Sequence, residues 1–330
     1  MNTFGRMYKT SIYGESHGDS IGVVIDGMKP GIKVDEEALM ALIERRKPGG
    51  IGTTKRVESD IPHITSGVFN GFTTGFPIHI SFENNNTINK DYSNLLTHPR
   101  PSHADYAANV KFNGFQDYRG GGHFSGRLTL GLVASGYFAS LLTPFKVSSK
   151  LIQIGEKKVT DNFNVDEYLK EIVSNGDSVG GIIEITVSNM IAGVGEPYFD
   201  SVESVLSHLL FSVPAVKGVE FGAGFNGVNM LGSEFNDCIV DANGKTKTNN
   251  NGGINGGISN GNDLVIRVMM KPTPSIYKGQ ETFNFKTNQI EELVIRGRHD
   301  ACIARRAMVV LESVCHMGLA DLYLTYKAYK

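Results

Sequence analysis

Neither sign of charge is in real excess in this sequence. Its 32 lysines and arginines stand against 34 aspartates and glutamates, a formal net charge of -2 over 330 residues. There is then no global field to hold a nucleic-acid backbone, and an anionic ligand has to meet a local basic cluster. Long hydrophobic runs are also missing: none approaches the ~20 residues of a membrane-spanning helix. Cysteine is scarce. Cys238, Cys302 and Cys315 are odd in number and lack metal-ligand spacing. The opening Met1 to Gly14 lacks the apolar centre of a signal peptide. These features suit a reducing cytoplasm and a site without metal. Hydrophobic content of 40% with 20% charged residues excludes a disordered chain.

Glycine is abundant, at 39 residues against a usual ~7% of a chain. The excess clusters at 14–31, 48–52, 120–122, 218–232 and 249–261. Glycine opens positive φ and lets backbone approach a ligand closely, so these clusters read either as tight turns or as loops converging on one polar ligand.

Helical periodicity marks 35–46, where Asp35 can cap and Leu39, Leu42 and Ile43 share a face. Further helices are expected over 125–142, 165–173, 202–211 and about 300–326, the last with Asp300 at a capping position. Segments 22–26, 77–82, 181–188 and 263–270 read as strands. Strands and helices mix without a doubly wound rhythm, which predicts an α+β fold with antiparallel sheets packed on helices. An echo links the halves. Gly18-Asp19-Ser20-Ile21-Gly22 and Gly176-Asp177-Ser178-Val179-Gly180 each lead a strand, a Gly/Pro turn and a helix. The expectation is one domain over 1–330, internally duplicated as roughly 1–150 and 151–330.

Several motifs carry chemistry. Gly14-Glu15-Ser16-His17-Gly18 spells a nucleophile elbow, but an elbow needs a strand before it and a helix after it, and a strand-like run follows here. His103 follows Arg100 by three residues in a proline-stiffened stretch, which disfavours its imidazolium form; a surface histidine in a turn is the plainer alternative. Asp117 to Arg127 is a glycine loop flanked by arginines and running into a helix, suited to phosphate or carboxylate. It lacks the spacing of a dinucleotide fingerprint. Arg45, Arg46, Arg56 and Arg100 add planar donors, although Arg45 and Arg46 also suit the helix end they occupy. Lys271-Pro272-Thr273-Pro274-Ser275 offers a cation and hydroxyls on stiff backbone.

Together, Gly-Glu-Ser-His-Gly at 14–18, Arg-Arg-Lys-Pro-Gly at 45–49, Arg-Pro-Ser-His-Ala-Asp at 100–105, Asp-Tyr-Arg-Gly-Gly-Gly at 117–122, Pro-Ala-Val-Lys-Gly at 214–218, Gly-Gly-Ile-Asn-Gly-Gly-Ile-Ser at 252–259, Lys-Pro-Thr-Pro-Ser at 271–275 and Gly-Arg-His-Asp at 297–300 give the chain a strong likeness to the chorismate synthases. Eight ordered motifs from Gly5 to about Leu324 resemble that family. The resemblance implies a β-α-β sandwich assembled as a homotetramer. It also implies the family's lyase activity, the trans 1,4-elimination of phosphate from 5-enolpyruvylshikimate 3-phosphate to chorismate, on the way to aromatic amino acids. Reduced FMN is required without net redox change, supplied by an external flavin reductant, with NADP as an associated nucleotide.

Residue by residue, the resemblance implies that His17 is the acid near the departing phosphate and that His103 protonates the flavin. Asp300 would assist proton removal, with Ser16 and Ser125 in a relay. Arg45, Arg46, Arg100 and Arg127 would hold substrate anions. Arg46, His123, Phe124, Ser125, Pro214, Ala215, Gly256, Lys271, Pro272, Thr273, Pro274, Ser275 and Arg298 would contact the flavin. The sequence departs from the family pattern at 48–52, which lacks an arginine after Pro-Gly. His123 stands where arginine is usual, and Gly126 and Leu128 replace alanine and glutamate. At 330 residues the chain is at the short end for the family and has no segment resembling a flavin reductase. A hydrolase and a binding protein that has lost catalysis are the competing readings.

Overall fold

The computed structural model describes residues 2–53, 59–85, 94–295 and 299–330. The first sheet contains β1 (Thr3–Phe4), β2 (Lys9–Gly14), β3 (Ser20–Asp26), β4 (His63–Ser66) and β7 (Ile78–Glu83), in the order β1-β2-β3-β7-β4; β5 (Val68–Phe69) and β6 (Phe72–Thr73) form a small hairpin beside it. The second sheet contains β8 (Lys146–Ile154), β9 (Lys157–Lys158), β10 (Gly181–Ser188), β11 (Val216–Phe221) and β14 (Leu264–Met270), in the order β11-β14-β10-β8-β9. Short hairpins β12 (Ile254–Asn255) with β13 (Ile258–Ser259), and β15 (Gln280–Asn284) with β16 (Gln289–Leu293), complete the strands. Every neighbouring pair is antiparallel.

Period-two alternation turns one face of each sheet inward. Ile21, Val23 and Ile25 of β3, with Ile78, Ile80 and Phe82 of β7, are fully buried, and so are Ile183, Ile185 and Val187 of β10 with Leu264, Ile266 and Val268 of β14. Helices α1 (Glu36–Arg46), α3 (Thr129–Ser140), α5 (Val202–Ser212) and α7 (Ala304–Ala328) fill the space between these faces. The remaining helices are α2 (Asp105–Lys111), α4 (Val165–Ser174) and α6 (Gly232–Phe235). This is the expected α+β sandwich. At the crossing of α3 and α7 a Cβ on Gly136 would lie 2.3 Å from the Cβ of Ser313, so only glycine permits that approach.

Asp35 caps α1 as expected, its side chain accepting from the Ala38 amide at 3.0 Å. Two expected starts are corrected. The 125–142 helix opens as a 3-10 turn over Gly126–Leu128 before α3 begins at Thr129. Asp300 does not cap the last helix, because α7 begins at Ala304 after Ile303 and the Asp300 carboxylate is taken by Arg306. By length and mean hydropathy, 1.4 over its most apolar window, α7 is long and apolar enough to cross a membrane, although no uninterrupted apolar run signals it. The fold buries 83% of that window, so α7 is a core helix.

Candidate active site

A cavity of about 900 Å³ opens where the ends of α1, α5 and α7 meet loops around 100–104, 120–128 and 271–275. Its size suits a cofactor together with a small substrate. Among the described residues six cations line it, Arg46, Arg100, Arg127, Lys217, Lys271 and Arg306, against two carboxylates, Asp60 and Asp300.

The Gly120–Gly122 run shapes one wall. All three glycines have positive φ, 59°, 83° and 52°, and the turn is anchored by Asp117, which accepts from Arg119 Nε at 2.9 Å and Nη2 at 2.7 Å. A Cβ on Gly120 would lie 2.1 Å from His17 Cε1, and one on Gly121 would lie 3.4 Å from His103 Cε1. The loop is therefore threaded between two imidazoles and touches one with each of two successive residues. The Gly122 carbonyl accepts from the Ser16 amide at 3.1 Å, fastening the β2–β3 turn to the same loop. Because antiparallel β3 follows that turn, Ser16 is in no nucleophile elbow.

His103 lies beside a fixed carboxylate. Asp105 accepts from Arg100 Nε at 2.8 Å and Nη2 at 2.7 Å, and its Oδ1 is 2.6 Å from His103 Nδ1. Burial alone would raise the Asp105 pKa, but the hydrogen bonds from Arg100 and His103 outweigh it and hold the group well below the usual carboxylate range. His103 is shifted the other way. Burial lowers its pKa first, and Arg100 and Lys271 add to that, against the hydrogen bond to Asp105. The imidazole is thus held neutral, with Nδ1–H donating to Asp105 and Nε2 left as the basic nitrogen near Gly121.

Asp60, which sequence reasoning missed, organises the arginines. It is buried and accepts from Arg127 Nη1 at 2.7 Å, with Arg46 Nη1 at 3.8 Å. Arg127 also donates to Asn84 Oδ1 and the Glu83 carbonyl, and Arg46 donates to Thr129 Oγ1 and the Gly126 carbonyl. Both guanidiniums are largely committed to protein acceptors, presenting charge more than free donors. Next to this cluster Arg306, also missed, donates to Asp300 Oδ2 at 2.7 Å and to the Arg46 carbonyl at 3.0 Å. His299 lines the cavity with a depressed pKa, lowered by burial and then by Arg100.

Of the residues singled out in the sequence, Arg46, Arg100, Arg127, His103, His123, Phe124, Ser125, Pro214, Ala215, Lys271, Thr273, Pro274, Ser275 and Asp300 reach the cavity wall. His123 donates from Nδ1 to the Gly14 carbonyl at 2.8 Å. Ser125 accepts from the Arg127 amide. His17 and Ser16 are buried and absent from the wall, and Gly120, which lines it, packs against His17. The Ser16 hydroxyl finds no partner among the described residues. Arg45 leaves the site: it pairs with Glu312 at 2.8 Å where α1 meets α7. Pro272 and Gly256 do not line the cavity, Gly256 lying in the β12–β13 hairpin. Arg56 and Arg298 lie outside the described residues.

A family profile described as chorismate synthase matches residues 8–324. A chorismate synthase of Chitinophaga pinensis is 52% identical over 324 residues, covering 98% of this chain and 97% of the relative. One from Thermococcus gammatolerans is 45% identical, covering 99% and 98%. A crystal structure of chorismate synthase superposes with a TM-score of 0.74 over 98% of this chain and 93% of the other, at 24% identity, which speaks to the fold. With near full-length matches in both directions, this chain belongs to the chorismate synthase family.

Proposed function

We propose that the cation-rich cavity is where this chain carries out its family's reaction, the trans 1,4-elimination of phosphate from 5-enolpyruvylshikimate 3-phosphate to give chorismate. The observation that carries this is the charge imbalance of the wall, six cations against two carboxylates that are both already paired with arginines. A substrate with two carboxylates and a phosphate supplies the missing negative charge.

The residues present also fit reduced FMN. Phe124, Leu132, Phe211, Val213, Val310 and Met317 give the wall an apolar face for a ring, and Lys217, Lys271 and Thr273 give polar groups beside it. Lys271, Thr273, Pro274, Ser275, Pro214, Ala215 and His123 would hold the group. When bound, it supplies transient electron density for expulsion of phosphate without net redox change. The protein contributes binding, orientation and proton placement. His103, neutral and anchored by Asp105, offers Nε2 as a proton site whose affinity rises when anions offset Arg100 and Lys271. His17 acts from its place against Gly120, with Ser16 adjacent. Asp300 lines the cavity, held by Arg306, where it assists removal of the ring proton.

We further infer an external flavin reductant, since no dinucleotide fingerprint is present in the chain. A homotetramer accounts for Phe115, Phe199 and Phe225, each more than four-fifths exposed in the single chain. Three thiols fit a reducing, cytoplasmic setting.

Anaerobic turnover with catalytic reduced FMN tests the reading. Chorismate should accumulate through many turnovers while the flavin stays reduced. Stoichiometric flavin oxidation would overturn the mechanism. Phosphate release without flavin would identify a hydrolase, and ligand binding with neither product a binding protein.

A further inference from the structure

The connection from α5 into β11 contains three departures from regular backbone within the five residues 214–218. Pro214 has no amide hydrogen, Ala215 sits at φ 74°, a conformation that non-glycine residues avoid, and the pairing of β11 with β14 slips between Val216 and Gly218. Val216 faces Met270 and Gly218 faces Met269, so Lys217 is the extra residue of a β-bulge. A bulge re-aims the side chain it carries, and here Lys217 joins the cavity wall. Across the same strand pair the Lys271 amide donates to the Ala215 carbonyl at 2.9 Å, which brings the two lysine-bearing segments together.

The resulting arrangement is unfavourable as it stands. Among the described residues Lys217 has no anionic partner, and the Lys271 ammonium donates to the Ser102 carbonyl, at 2.5 Å, and to no carboxylate. The two ammoniums are near enough that Lys217 helps depress the Lys271 pKa, after burial. Thr273, two residues on, lines the same cavity with a buried hydroxyl that has no partner among the described residues. Two point charges and one hydroxyl suit a compact dianion with several oxygens, whereas planar carboxylates suit the cavity's arginines.

We propose that Lys217 is a phosphate-binding residue, which with Lys271 and the Thr273 hydroxyl grips the phosphate monoester of a ligand bound in the cavity. The proposal rests on the functional reading above and commits first to the flavin mononucleotide phosphate. The substrate phosphate, chemically the same group, is the other source. The strained turn and the bulge then have a common purpose, to swing a strand residue out of its ladder and over the ligand.

The test is equilibrium binding of oxidised FMN, riboflavin and 5-enolpyruvylshikimate 3-phosphate to the full chain, with Lys217→Ala and Lys217→Arg beside the parent. Lys217→Ala should weaken FMN about tenfold, which is about 1.4 kcal/mol, and leave riboflavin unchanged. Lys217→Arg should recover most of the loss. If instead the substrate weakens tenfold while FMN does not, Lys217 holds the substrate phosphate. If the parent binds no FMN, the flavin reading fails and the substrate titration alone decides the proposal. Changes below twofold for both phosphate ligands, in variants that melt like the parent, would overturn it, as would equal losses for FMN and riboflavin.

Discussion

Replacing Gly120 by alanine should silence the enzyme through His17. The new methyl carbon would lie 2.1 Å from His17 Cε1 and 2.2 Å from Nδ1, where carbon–carbon contact is ~3.5 Å. The imidazole must therefore move by more than about 1 Å, in a place where it is buried and Ser16 beside it is fully enclosed. Overpacking of this kind costs about 1–3 kcal/mol. Holding alanine at a φ of 59° adds about 1–2 kcal/mol. The sum of about 2–5 kcal/mol, divided by an unfolding entropy of ~0.7 kcal/mol per kelvin for a chain this long, lowers the melting temperature by about 3–7 °C. Misplacement by 1 Å is worth about a hundredfold in rate, so turnover should fall by roughly that factor. Gly121→Ala is the control, since its methyl would meet His103 only at 3.4 Å; it should show backbone strain with turnover close to the parent. The decisive assay is a double-mutant cycle. In His17→Ala the imidazole is gone, and Gly120→Ala should then cost little further activity. An equal rate loss from Gly120→Ala in both backgrounds would refute the argument that the loop acts by placing His17.

Two further outcomes are expected. His316, partly buried on α7, is pulled down to about 4 by desolvation, against ~6.5 unfolded. As pH drops below ~6.5 the unfolded chain takes a proton that the folded chain refuses, so stability is full at high pH and declines down to about pH 4. The loss at pH 5 relative to pH 8 is about 2 kcal/mol; His316→Gln should remove that part of the pH dependence in denaturant titrations, and an unchanged dependence would count against it. Asp105→Asn should keep an acceptor for His103 Nδ1 while deleting the negative charge, so any acid limb of the rate profile governed by His103 should move to lower pH. Because Arg100 is left buried without its carboxylate, a stability loss of about 3–5 kcal/mol should accompany it, and a limb that stays in place or moves to higher pH would disconnect Asp105 from His103.

What the sequence made legible was local. Asp35 announces α1 because capping is decided within three residues, and the alternation in 181–188 and 264–270 announces two strands because a sheet with one buried face imposes it. The misplaced start of α7 shows the limit: Asp300 has the right residue type for a cap, and its arginine partner six residues on decides otherwise. Asp60 carries no signal in Ser59-Asp60-Ile61-Pro62, since its meaning lies in Arg127, 67 positions away. Arg45 reads like a site arginine because it adjoins Arg46, yet one step around a helix turns it toward Glu312. Lys217 and Asp105 stood inside quoted motifs without a role. For Asp105 the spacing to His103 and Arg100 was a usable clue, whereas nothing in Pro-Ala-Val-Lys-Gly foretells a bulge.

Helix α7 has a consequence for how the molecule is made. Its apolar surface is satisfied by α3, α5, β8 and β10, segments drawn from the middle of the chain that end 92 or more positions before α7 begins. Until they pack together, this long apolar helix has no native surface to cover it, and the inner faces of two sheets are bare as well. Such non-local closure is slow, and the waiting species is sticky. Refolding yield should therefore fall steeply with protein concentration, and the cell's holdases would find their handle on this protein in the same helix that later walls its catalytic chamber.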